Sequence, residues 1–205
     1  MKKIPTVFER QYENHKVVGI TDTFTSKLTE TAFLFGEATL KWDGSCCAII
    51  GGELYKRYDA KKGKKPPEGA IPCCEADPIT GHHPHWVKCD PNNPSDKWFI
   101  EAFDAVVSAG RKVASETYGI ENVCLRFWDG TYEAVGEHFQ GNPYSLNGDG
   151  LIRHGEVILE CVPRTFEGIR EYFRETYIEG IVFWLDGEPV AKIKRSDFGL
   201  PWNER

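Results

Sequence analysis

Apolar and polar residues mostly alternate along this chain, in short runs cut by two-residue turn signals. "GEATLKW", "SCCAII" and "ELYKRY" are separated by Asp43-Gly44 and Gly51-Gly52. "CLRFW" and "TYEAVG" are separated by Asp129-Gly130, and "GIVFWL" and "PVAKIKR" by a turn beginning at Asp186-Gly187. A period of two bounded by such pairs predicts β-strands joined as antiparallel hairpins. Two stretches repeat with helical spacing instead. "SDKWFIEAFDAVVSAGRKVASETYG" lines up Phe99, Phe103, Val106, Val107 and Ala114 after a capping Ser95 or Asp96 and stops at Gly119. "TFEGIREYFRETY" does the same through Phe166, Ile169, Tyr172 and Phe173, so each predicts an amphipathic helix. The expected class is α+β, antiparallel sheets flanked by helices.

"KKPPEGAIPCCEADPITGHHPHWVKCDPNNPSD" breaks both periods with proline and glycine. It predicts a surface insertion at about residues 61–96 of a single domain spanning residues 1–205. No stretch approaches the roughly 20 apolar residues of a spanning helix. The start, "MKKIPTVFERQYENHK", has basic residues without an apolar segment behind them, so the expectation is an intracellular, cytoplasmic protein with no export signal. Seven cysteines, four of them in vicinal pairs, are unlike the even framework of a small secreted fold.

A net charge of −6 argues against a uniformly basic surface, yet "KRYDAKKGKK" gathers Lys56, Arg57, Lys61, Lys62, Lys64 and Lys65 around Asp59. A polyanion would bind locally there, although a solvated loop is the simpler reading of such a run.

Hairpin counting brings candidate chemistry together. A two-residue turn at Gly51-Gly52 sets Ile50 opposite Glu53 and Cys46 opposite Arg57. The same count around Asp186-Gly187 sets Glu179 opposite Lys194 and Ile181 opposite Lys192, with Pro189 able to lengthen the turn and shift the pairing. Lys192 and Lys194 share a face in either register. Glu179 with Lys194 also fits an ordinary cross-strand ion pair, as does Glu133 with Arg126 counted across Asp129-Gly130.

Taken in order, Lys41-Trp42-Asp43-Gly44, Arg57, Glu133, Glu179, Lys192 and Lys194 resemble the signature of the covalent nucleotidyltransferase superfamily of ATP-dependent RNA and DNA ligases and mRNA capping enzymes. "GNPYSL", "RHGEV", "EGIVFW" and "KRSDFGLPW" further resemble the small 5′-to-3′ RNA ligase family first recognised in vertebrates. The likeness runs from Lys41 to Trp202. It implies an ATP-grasp-like nucleotidyltransferase domain without a C-terminal OB domain, and an ATP-dependent ligase joining 5′-phosphate and 3′-hydroxyl RNA ends through lysyl-AMP and an adenylylated RNA 5′ end.

By the same resemblance Lys41 is the nucleophile and Lys192 and Lys194 contact phosphate. Arg57 reaches the nucleotide, Thr39 and the Leu40 backbone touch adenine, Glu133 contacts the ribose or holds a water on a metal, and Glu179 helps fix Mg²⁺, or Mn²⁺ in its stead, through its hydration shell. The residue types suit the chemistry: an amine attacking a phosphate must be neutral, and free lysine ionises near about 10.4, so close positive charge and partial desolvation are needed. DNA ligases and capping enzymes carry arginine two places after the Asp-Gly, where this chain has Cys46. Those activities, and a non-catalytic nucleic-acid end-binding protein, are the alternatives. Cys73, Cys74, His82, His83, His85 and Cys89 form a competing zinc candidate, which the vicinal cysteines disfavour for a tetrahedral ion.

Overall fold

The computed structural model describes residues 3–14, 16–78 and 80–203. In chain order the elements are β1 (Phe8–Glu13), β2 (Lys16–Phe24), α1 (Lys27–Phe35), β3 (Glu37–Lys41), β4 (Ser45–Ile50), β5 (Glu53–Ala60), β6 (Ile71–Pro72) and β7 (His83–Lys88). Then come α2 (Lys97–Tyr118), β8 (Gly130–Val135), β9 (Gly150–Arg153), α3 (Phe166–Glu175), β10 (Gly180–Leu185) and β11 (Glu188–Lys194). All named ladders are antiparallel, so the class is α+β as expected. No helix among the described residues is long and apolar enough to cross a membrane. The chain divides into two compact units, residues 43–153 and residues 3–42 with 154–203.

Residues 43–153 carry a six-stranded sheet in the order β6-β7-β5-β4-β8-β9. One face, with Cys47, Ile49, Leu54, Tyr132 and Ala134, packs against Ala102 and Val107 of α2. The β4–β5 hairpin has the expected register, Ile50 opposite Glu53. Part of the expected insertion is β-structure: β7 pairs with β5 along its length and buries His85 and Trp86. Asp96 occupies the N-cap position of α2 without capping it. Its buried carboxylate instead holds Lys56 and the backbone N–H of Asp90.

Two of the expected hairpins do not form. Residues 125–128 make a 3-10 turn rather than a strand, so Glu133 does not face Arg126; β8 pairs with β4 and β9, and Glu133 lies opposite Cys46. The Asp129 carboxylate accepts from the backbone N–H groups of Gly51 and Gly52, at 2.9 and 2.8 Å. Asp43-Gly44 likewise joins strands of different sheets. Gly44 is a glycine for another reason: a Cβ there would lie 2.2 Å from the Ala134 carbonyl oxygen.

In the second unit β10 is the middle of a three-stranded sheet, β11-β10-β3. Its inner face (Ala38, Ile181, Phe183, Ala191, Ile193) packs on Phe8, Phe33, Ile169 and Phe173. Thr165 caps α3 by accepting from the Gly168 N–H. The β10–β11 register is one residue off the simple count. A bulge at Val190, after Pro189, sets Gly180 opposite Lys194 and Val182 opposite Lys192, because proline cannot complete the regular ladder. Glu179 is therefore not a cross-strand partner of Lys194, and precedes the strand.

A Cβ on Gly180 would meet the Ile193 carbonyl oxygen at 2.4 Å. Gly180→Ala should therefore force β10 and β11 apart and lower stability by about 1–3 kcal/mol, read from the urea midpoint.

Candidate active site

Strand alternation selects the residues of the site in the 3–42/154–203 unit. Lys41 and Lys194 flank Gly180 on either side, and Thr39 and Lys192 flank Val182. Residues directly opposite one another point to the same side of a sheet, so all four side chains stand on the face turned away from the apolar core. Gly180 contributes no side chain between the two lysines, and the Glu179 carboxylate bridges them. Its Oε2 lies 2.5 Å from Lys41 Nζ and its Oε1 2.5 Å from Lys194 Nζ, while the Glu179 side chain is only 4% exposed. Both oxygens of one buried carboxylate are thus taken by ammonium groups.

The Lys192 ammonium makes no hydrogen bond or ion pair among the described residues. Burial first, and then the charges of Lys41, Lys194 and Arg10, push it down to about 8 from the ordinary 10.5. Arg10, on β1, bonds the Asp197 carboxylate through Nε (2.9 Å) and Nη2 (2.7 Å). The other oxygen of Asp197 accepts the Lys194 backbone N–H at 2.9 Å. Neither Arg10 nor Asp197 was singled out in the sequence. Asp197 had a faint signal as the acid three places after Lys194, at the start of a 3-10 turn. Arg10 had none, since its partner lies 187 positions away.

Thr39 and Leu40 are committed inside the fold. The Thr39 hydroxyl accepts from the Trp184 indole N–H at 2.8 Å and donates to the Val182 carbonyl. The Leu40 N–H donates to the Val157 carbonyl at 2.8 Å. Trp184 in turn lines a cleft of about 560 Å³ together with Phe35, Glu37, His154 and Asp186.

The 43–153 unit holds the remaining candidates in one row. Glu133 on β8 lies opposite Cys46 on β4, and continuing the β4–β5 register one step sets Cys46 opposite Arg57. Alternation also separates the neighbouring bases: Lys56 turns to the helix side and pairs with Asp96, whereas Arg57 lies on the opposite face and bonds Asp59 at 2.8 Å. Glu133 Oε1 accepts the Gly44 N–H at 3.1 Å. Burial, reinforced by the Glu133 charge, pushes the Cys46 thiol up to about 12, so it stays protonated and is a poor nucleophile.

Tyr144 of "GNPYSL" accepts the Asp43 N–H at 2.6 Å. Its loop holds Gln140, Asn142 and Ser145 at φ 47°, 53° and 52°, and the Asn142 amide makes two bonds to the Leu146 backbone. Three left-handed residues other than glycine so close together are a strained arrangement of the kind that clusters at functional sites.

The zinc candidates are dispersed over different surroundings. Cys89 is buried against the α2 side of the sheet, Cys73 packs beside Trp86 on the other side, and His85 Nδ1 lies 2.8 Å from the His83 carbonyl.

Comparison with known proteins gives a consistent picture. A family model described as RNA ligase 1 matches residues 67–205. An RNA ligase 1 from Pongo abelii is 26% identical, over 98% of this chain and 82% of the relative. One from Rattus norvegicus is 24% identical with the same shares. An RNA ligase 1 from Danio rerio reaches 32% identity over 60% of this chain and 42% of the relative.

Proposed function

Because the chain belongs to the RNA ligase 1 family, we propose that it is an ATP-dependent RNA ligase of the nucleotidyltransferase fold, working by three nucleotidyl transfers. The observation that carries this reading is the cluster of Lys41, Lys192 and Lys194 on one sheet face around the buried Glu179.

In the first transfer the Lys41 amine, having given up its proton, attacks the α-phosphorus of ATP. A phosphorus–nitrogen bond forms, the bond to the bridging oxygen breaks, and pyrophosphate leaves with the electron pair. Lys192 and Lys194 stabilise the negative charge that builds on the phosphate oxygens. The lysyl-AMP then passes its adenylate to an RNA 5′-phosphate. Finally the adjoining 3′-hydroxyl attacks that activated end and releases AMP.

Arg57 and Glu133 serve the nucleotide, Arg57 in place of the arginine that Cys46 replaces. Thr39 serves adenine indirectly, by fixing the Trp184 indole. Glu179 and Glu133 offer hard carboxylate oxygens suited to Mg²⁺ or Mn²⁺ held largely through water, and the ion would supply further screening of phosphate charge. The exposed lysines that start at Lys61 add a salt-sensitive grip on the RNA backbone.

The test is direct. The protein is incubated with Mg²⁺ and α-labelled ATP or GTP, denatured, and examined for retained label, then offered single-stranded 5′-phosphorylated RNA or nicked DNA. Label from ATP alone and sealing of RNA alone are expected. Retention from GTP, or sealing of DNA instead, would move the assignment to a capping-type or DNA-joining enzyme, and no label at all would leave end binding as the better account.

A further inference from the structure

The charges of the Lys41 cluster do not balance. Among the described residues, three ammonium groups (Lys41, Lys192, Lys194) and the Arg10 guanidinium face two carboxylates. That of Glu179 is held by Lys41 and Lys194, and that of Asp197 by Arg10 and the Lys194 backbone. Lys192 has no partner within ion-pair range among the described residues, and Arg10 Nη1 makes no bond there either. Two positive charges therefore remain uncompensated on a partly buried surface, a costly arrangement unless an anion completes it.

The backbone explains why Arg10 belongs to this cluster. Val7 donates its N–H to the Lys192 carbonyl, and Lys192 donates to the Pro5 carbonyl, each at 2.9 Å. The chain before β1 thus runs as a short parallel extension along β11, through the Thr6–Lys192 bridge, and delivers Arg10 to Asp197. The Arg10–Asp197 pair is a ready-made fork: the carboxylate fixes Nε and Nη2, so the guanidinium is oriented before any ligand arrives.

We propose that Arg10, with Lys192 and Lys194, forms a polyphosphate subsite that binds the β- and γ-phosphates of ATP and holds pyrophosphate as it leaves Lys41. The proposal rests on the adenylyl-transfer reading given above. Arg10 has no part in the later transfer of adenylate from lysine to RNA, because no pyrophosphate is present in that step. In the reverse of the first transfer, pyrophosphate oxygen attacks the phosphorus of lysyl-AMP. The phosphorus–nitrogen bond breaks, ATP re-forms, and the lysine amine recovers its proton.

Arg10→Met and Arg10→Lys are compared with the unaltered protein. Loss of one charge-assisted contact to phosphate should raise the KM for ATP about tenfold and slow pyrophosphate-driven reversal of preformed lysyl-AMP about tenfold in Arg10→Met. Arg10→Lys should recover part of both, while transfer of adenylate to 5′-phosphorylated RNA stays within about twofold in each variant. Equal slowing of reversal and RNA transfer would mean that Arg10 only supports the fold, and unchanged reversal would mean that it does not touch pyrophosphate. Either result overturns the proposal.

Calorimetric titration with inorganic tripolyphosphate separates this proposal from the reading it rests on. If the unaltered protein takes no adenylate but binds tripolyphosphate, and Arg10→Met binds it about tenfold more weakly, the subsite stands and the ligase reading falls. Equal affinity in the two proteins overturns the subsite.

Discussion

Replacing Lys41 by alanine should abolish the covalent adenylate entirely, and replacing it by arginine should do the same. The two failures have different causes. Alanine removes the nitrogen. Arginine keeps a cation able to pair with the Glu179 carboxylate, now 2.5 Å from Lys41 Nζ, but a guanidinium does not become neutral in a protein and so cannot attack phosphorus. Lys41→Arg should therefore unfold within a few degrees of the unaltered protein yet give no mass gain of one adenylate with ATP and Mg²⁺. RNA already carrying a 5′-adenylate should still be joined by Lys41→Arg, because only the last transfer is then required. An adduct retained by either variant would exclude Lys41 as the nucleophile.

Lys192→Met should make the protein more stable and less active. At neutral pH Lys192 is charged in both the folded and the unfolded chain, but the folded state holds that charge against burial and three other cations. Its folded value of about 8 lies below the ordinary 10.5. Between those pH values the unfolded chain binds more protons, so this group makes stability rise with pH across the window and leaves its full penalty in place below it. Removing the charge should stabilise the fold at pH 7 by about 1–3 kcal/mol, and the gain should shrink as pH rises through the window. The same variant should form lysyl-AMP at least about a hundredfold more slowly, the usual scale for losing an electrostatic donor at a developing charge. Thermal midpoints from pH 6 to 10, set beside single-turnover labelling, check both halves. A variant destabilised at pH 7 would show that Lys192 is held by contacts that outweigh the repulsion.

Local patterns revealed a good part of this molecule. The Gly51-Gly52 and Asp186-Gly187 hairpins and the helices α2 and α3 follow from periodicity and turn residues, and all four form, the Asp186-Gly187 hairpin with its register shifted by one residue. Helix α1 was not legible because it has nine residues and its capping box uses Thr29 where glutamate or glutamine is usual. The β1–β2 hairpin hides its alternation behind two register shifts. Asp129-Gly130 misled because the same residues that make a tight turn also let Asp129 cap a different hairpin from the outside.

The sequence by itself determined that Lys192 and Lys194 share a face, because the period of a strand needs no knowledge of its neighbours. Only the tertiary structure decided what stands beside them. The bulge at Val190 moved Glu179 out of the ladder and let its carboxylate span Lys41 and Lys194, and the N-terminal segment brought Arg10 to Asp197 across 187 positions. Such pairings are fixed by how sheets and cores close over long separations, where burial and charge balance outweigh any preference written in a few adjacent residues.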